Sequence, residues 1–442
     1  MPSASAPVRL GPLAQLRAGL GMVRDLGGTL QHLHRTYGPV VDVGLGPLRF
    51  TYLFGPEANE AVLSTHAGSF AWGPALRSLE VVDGPTALVL SDGEDHRRRR
   101  RLVQPAFALK RIEAHLPGIV EELDRTLDGW TPGRRLDAHA DLRAAIRRIV
   151  LRSLFGSGLG ERADEVGELL EPALRYVQRL PTRRLDVDLR VNAYGRAVRG
   201  VRAADALVRE ELERRRAEGV DVEADPDLLT ALLAGEDAEA LSDAEVLDQV
   251  RSLIAAGYDT TSGAAAWIVL ELGRHPEVLE AVRAEVDAVL GDAPPTVDAL
   301  RRMPTVDGVV HEVLRLWPPG FVSGRQATED VEVLGHRIPA GRLVLYSAYV
   351  TGRLPELWPH PDRFDPSRWA PGAPEPAPYA FVPFGGGYRR CIGFALATLE
   401  LQVLVVRLAQ RARWTLERPQ ARPTGIATAI PAGGVPIRVE PP

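Results

Sequence analysis

Phe384-Gly-Gly-Gly-Tyr-Arg-Arg-Cys391-Ile-Gly393 is the stretch on which the reading of this chain turns. Its glycines permit a tight turn and a close approach of backbone to a flat ligand, because no Cβ stands in the way. Cys391 is the only cysteine in 442 residues, which excludes an internal disulfide and any zinc site of paired cysteines. It stands where this loop hands over to an apolar stretch of helical period, FALATLELQVLVVRLAQR at 394–411. A helix N-terminus and the neighbouring Arg389 and Arg390 both favour a thiolate over a thiol. A thiolate without a partner thiol can be a nucleophile, a redox sensor or a metal ligand; the bland alternative is a buried core cysteine.

Outward from that loop, the composition is that of an ordinary globular chain, with 45% hydrophobic and 25% charged residues. A net charge of -5 and a pI near 6.1 argue against nucleic-acid binding, whose footprint is basic. No apolar run reaches the ~18 residues of a membrane span, and the N-terminus lacks the apolar core of a signal peptide. These features predict a cytoplasmic protein with no membrane and no nucleic-acid partner; a monomer is expected.

The periodicities predict a mainly α chain with small β-sheets, an α+β architecture. Val40 to Leu45 and Leu48 to Phe54 alternate around Gly46-Pro47 as a hairpin would. Apolar positions recur at helical spacing over 112–128, 141–155, 197–215 and 277–290. The clearest helix begins at Ser242, where Ser242-Asp-Ala-Glu245 has the form of a capping box, and runs until Pro276. At 1.5 Å per residue that is about 48 Å, long enough to cross a domain. After about Arg325 the chain turns to short strands, and 352–383 reads as an ordered loop rich in proline and aromatics. No internal boundary is visible, so residues 1–442 are expected as one domain with a flexible N-terminus of about ten residues.

The loop resembles the haem loop of the cytochrome P450 family, Phe-x-x-Gly-x-Arg-x-Cys-x-Gly, with Phe384, Gly387, Arg389, Cys391 and Gly393 at its fixed positions. Further motifs follow in family order. Ala256-Gly257-Tyr258-Asp259-Thr260-Thr261, in the middle of the long helix, resembles the oxygen-activation motif. Glycine and adjacent threonines are poor helix formers, so the cluster suggests a functional distortion; the alternative is a threonine bonded back to the i−4 carbonyl. Glu312-Val-Leu-Arg315 resembles the family's Glu-x-x-Arg, and Pro361-Asp-Arg363-Phe364 resembles the segment that supplies a second arginine. Residues 95–102 read DHRRRRRL, in which His96 and Arg100 stand one helical turn apart, as in the family's His-x-x-x-Arg.

The resemblance implies a P450 fold whose long central helix crosses over the haem. It implies Cys391 as axial ligand to the iron of haem b, with Phe384, Gly387 and Gly393 shaping its loop. His96, Arg100, Arg325 and Arg389 are then the contacts to the haem propionates, since an arginine fork matches two carboxylate oxygens. Ala256 and Gly257 would leave room for dioxygen as the helix opens, with Thr260 and Asp259 managing protons. Glu312, Arg315 and Arg363 would form a structural triad that steadies the cysteine loop. The other arginines of 97–101 are left to solvent or to a partner.

The activity so implied is monooxygenation: a thiolate ligand pushes electron density onto iron and favours O–O cleavage. Dioxygen is the co-substrate, and the organic substrate is an apolar small molecule such as a terpenoid, steroid, fatty acid or polyketide. No flavin or iron–sulfur module is visible, so electrons are expected from NAD(P)H through a ferredoxin or flavodoxin with its reductase. That partner would dock on the arginines at 97–101 and Arg390. Peroxide-driven or isomerising haem-thiolate enzymes need not keep the acid and threonine of 259–260, and a gas sensor would usually carry an output domain.

Overall fold

The computed structural model describes residues 5–46, 49–179, 186–189, 191–219, 227–233, 241–425 and 427–441. They form two compact units, each assembled from separate stretches of chain. The first comprises Met1–Arg77, Leu314–Phe364 and Pro374–Cys391, and the second Ser78–Val313, Asp365–Ala373 and Ile392–Pro442.

The first unit is built on a six-stranded sheet. The β-branched and aromatic runs Val40–Val43 and Phe50–Leu53 pair antiparallel, with Val40 opposite Leu53. The tip of this expected hairpin, Pro47 and Leu48, lies outside the described residues. Leu343–Tyr346 joins Phe50–Leu53 in parallel, and Ser323–Ala327 lies antiparallel beside it. Strand Phe70–Ala71 closes that edge, and Val8–Arg9 pairs with Val41 and Asp42 at the other. Of the ten N-terminal residues expected to be flexible, Val8–Arg9 form the sheet edge and Ser5 bridges to His336; residues 1–4 lie outside the described residues. Leu53, Leu63, Phe70, Val344 and Tyr346 form the core under this sheet.

The second unit is helical. Its long helix, Asp243–Arg274, has 32 residues and starts with the expected box: the Glu245 amide donates to Ser242 Oγ, and the Ser242 amide donates to Glu245 Oε2 at 3.0 Å. Trp267 on this helix is fully buried and donates from Nε1 to the Ala429 carbonyl. Segment Ala138–Glu161, which is two helices parted by a kink at Gly156 (φ +71°), and helices Ala193–Glu218 and Phe394–Arg411 pack around it. The helix expected over 112–128 is two, Leu109–Ala114 and Leu116–Asp128, parted at His115 beside Pro117, whose missing amide suits a helix start. A three-stranded sheet of Arg135–Asp137, Trp414–Leu416 and Pro436–Val439 completes the unit. None of the described helices is long and apolar enough to cross a membrane.

Candidate active site

In the first unit the loop from Phe384 to Cys391 closes on itself. The Cys391 amide donates to the Phe384 carbonyl at 2.9 Å, and the Arg390 amide to the Gly387 carbonyl at 3.1 Å. Gly387 adopts φ +62°, and a Cβ there would stand 2.0 Å from the Leu63 carbonyl oxygen. Only glycine lets the loop lie on that neighbouring turn. Phe384 is half-buried, and Gly393 is the N-cap of the 394–411 helix. Cys391 is exposed, so the bland reading of a core cysteine does not hold.

Two of the arginines expected to meet a carboxylate lie together in this unit. Arg325 is 1% exposed; its Nη1 donates to Ser323 Oγ (2.9 Å) and the Gly324 carbonyl (2.6 Å). Its guanidinium carbon sits 3.3 Å from the centre of the Trp72 ring, and Nη2 has no hydrogen-bond partner among the described residues. Burial lowers its pKa below the ordinary arginine value; the Tyr346 side chain pulls the other way, and Arg389, a like charge, adds to the lowering. Arg389 is buried too and lies 5.2 Å from the same indole centre. A buried guanidinium with an unsatisfied donor, as at Arg325 Nη2 among the described residues, is costly, and an anionic ligand group removes that cost. The site therefore fits a haem carboxylate. Trp72 carries no motif by which sequence alone would have found it.

In the second unit Ala256 is exposed midway along a helix that is otherwise mostly buried, so space opens beside it. Thr260 Oγ1 donates to the Ala256 carbonyl at 2.7 Å, which is the back-bonded alternative. The helix continues through 256–261 without a break, so the expected opening at Gly257 is not realised. Gly257 is there for packing instead: a Cβ would stand 2.9 Å from Val150 Cγ1. Asp259 Oδ1 accepts from Arg143 Nη2 (3.1 Å) and Nε (3.3 Å), and Arg143 Nη1 also donates to Glu171 at 2.7 Å. Arg143 lies 116 residues upstream of Asp259, beyond the reach of any local pattern. Behind the same helix Glu400 is fully buried; burial pushes its carboxyl up to about 8, with the Thr261 side chain pulling the other way.

His96 and Arg100 share the helix Gly93–Val103; His96 is 2% exposed and Arg100 half-buried. Their arginine neighbours divide. Arg98 and Arg99 bind Glu245 at the start of the long helix, Arg99 through Nη2 (2.9 Å) and Nε (3.1 Å). The expectation that both face solvent or a partner is corrected: a part-buried carboxylate draws them inward. Arg97 and Arg101 are exposed.

Glu312 and Arg315 lie on the helix Pro304–Leu316, and both are buried. Arg315 donates to the Pro361 and Arg363 carbonyls at 2.7 and 3.1 Å. Glu312 accepts from the Asp365 amide (2.9 Å), Trp369 Nε1 (3.0 Å) and Arg368 Nε (3.2 Å). The second arginine of the triad is thus Arg368 and not Arg363, whose side chain is exposed while only its carbonyl takes part. The 3-10 turn at Pro366–Trp369 aims Arg368 and Trp369 together at the carboxylate.

The cytochrome P450 family model matches residues 9–432. A protein of Mycobacterium tuberculosis named cytochrome P450 139 is 43% identical over 411 residues, covering 91% of this chain and 94% of its own. Cyclooctat-9-en-7-ol 5-monooxygenase of Streptomyces melanosporofaciens is 36% identical over 396 residues, covering 85% and 83%. Among solved structures, a cyanobacterial P450 bound to retinoic acid superposes with a TM-score of 0.87 at 27% identity, covering 99% of both chains.

Proposed function

This chain belongs to the cytochrome P450 family and is a monooxygenase, and from that premise we propose that it oxidises an apolar isoprenoid with electrons from a separate protein. The relatives that support the substrate class act on cyclooctat-9-en-7-ol or bind retinoic acid. We read residues 1–442 as one catalytic domain, since the family match runs through both units.

In this reading Cys391 ligates the haem iron, and the observation that carries it is the exposed thiol at the end of a loop closed by the Cys391 amide. Haem b supplies dioxygen binding and O–O cleavage when bound. Arg325 and Arg389, with His96 and Arg100, would hold its carboxylates; Arg325 Nη2 has no hydrogen-bond partner among the described residues. The Thr260 hydroxyl proton is committed to the Ala256 carbonyl, so its oxygen is presented as an acceptor. Asp259, held by Arg143, is the acid that passes protons toward it. NAD(P)H is the ultimate reductant through a ferredoxin or flavodoxin, on the cytoplasmic side.

The reduced, carbon-monoxide difference spectrum tests the ligand. A thiolate signature that disappears in Cys391→His supports the assignment, and an identical spectrum in both proteins removes it. Titration with isoprenoid alcohols, read as a spin-state change, tests the substrate class.

A further inference from the structure

The N-terminal helix Pro12–Arg24 turns an unbroken apolar stripe to solvent. Leu13, Leu16, Leu20 and Val23 are 73%, 61%, 51% and 57% exposed. At 3.6 residues per turn they fall within an arc of about 80°. Single exposed apolar residues are ordinary, whereas four in line along one helix face mark an interaction surface. The stripe is not the face that docks the helix. Ala18 is buried on another side, where Gln15 Oε1 accepts from the Gly44 amide at 2.7 Å and Met22 takes the Tyr52 hydroxyl at 3.4 Å.

Charge says what covers it. Arg17 and Arg24 are exposed along one edge of the stripe, and exposed Arg9 precedes the helix. The first 24 residues contain no acid; the first is Asp25. A second copy of this helix would set arginines against arginines, while an anionic surface would meet them with opposite charge. An exposed apolar face flanked by arginines is the pattern of a helix lying in a bilayer interface.

Against the expectation of no membrane partner, we propose that this helix seats the protein reversibly on anionic phospholipid bilayers, with Leu13, Leu16, Leu20 and Val23 among the acyl-chain ends and Arg9, Arg17 and Arg24 against headgroup phosphates. None of the described helices can span a membrane, so the attachment is peripheral. An enzyme of apolar compounds gains by it, because such compounds concentrate in lipid. The attachment itself needs neither turnover nor substrate.

The test is sedimentation of the full, haem-loaded chain with vesicles of phosphatidylcholine, alone or mixed with phosphatidylglycerol. We expect binding to the mixed vesicles only, weakened by salt, and a loss of about tenfold in Leu16→Gln/Leu20→Gln. Arg17→Gln/Arg24→Gln should remove most of the salt-sensitive part, leaving the share of Arg9. These side chains are exposed, and equal thermal midpoints confirm that each variant folds. Failure of the unaltered protein to bind anionic vesicles at low salt overturns the proposal, as does binding indifferent to both double substitutions. A dimer in solution abolished by Leu16→Gln/Leu20→Gln, without vesicle binding, assigns the stripe to a second copy and overturns it too. None of these outcomes bears on the monooxygenase reading, which the carbon-monoxide spectrum tests separately.

Discussion

Arg368 Nε stands 3.2 Å from Glu312 Oε1, and the two side chains keep only 11% and 0% of their surface in solvent. Arg368→Ala leaves a buried carboxylate short of its cation, a change that costs about 3–5 kcal/mol. Arg363→Ala, at an exposed side chain, should stay within about 0.5 kcal/mol of the unaltered protein. Urea unfolding of the two variants checks this; equal losses would return the role to Arg363.

Gly387→Ala should prevent the cysteine loop from closing, since the new Cβ meets the Leu63 carbonyl and the backbone has positive φ. Most of the purified chain should then lack haem. Gly386→Ala is the control: its φ is −164° and its nearest neighbours are side chains, so haem content should hold. The ratio of haem absorbance to protein absorbance measures both.

Arg143→Gln should free Asp259 while leaving the haem spectrum unchanged. Product formed per NAD(P)H consumed is then expected to fall several-fold, in the same direction as in Thr260→Ala. If that ratio is unaltered in both variants, neither residue takes part in proton delivery.

The Glu400 carboxyl, pushed up by burial to about 8 from 4.5, keeps a proton in the folded chain that the unfolded chain releases. Folded protein therefore binds more protons between those values, and stability falls as pH rises from about 4.5 to about 8, then levels. Asp83, pushed up by burial to about 7, adds to the same trend. Glu400→Gln should gain on the unaltered protein as pH rises through that window. Urea midpoints compared at about pH 5 and about pH 8.5 would show no such divergence if the carboxyl ionises freely.

Arg101→Glu should slow reduction by the electron partner and reduce its salt dependence, because Arg101 is exposed. Arg98→Glu should instead lower the thermal midpoint, since it places a second carboxylate on Glu245. Stopped-flow reduction and thermal melts separate the two effects.

What the residues by themselves determined is local or set by spacing along the chain. The Ser242 to Glu245 capping box, the helix it starts and the 394–411 helix depend on neighbours a few positions away, and the hairpin pairing of Val40 with Leu53 on the short turn between its strands. The cysteine loop was legible for the same reason, since a ten-residue turn carries its own glycines. Only the tertiary structure decided which arginine meets Glu312, that Arg143 holds Asp259, that Arg325 and Arg389 gather at Trp72, and that Glu245 draws Arg98 and Arg99 inward. Those partners are drawn together by packing across long stretches of chain, or chosen by the path of a turn. Period and propensity report on neither.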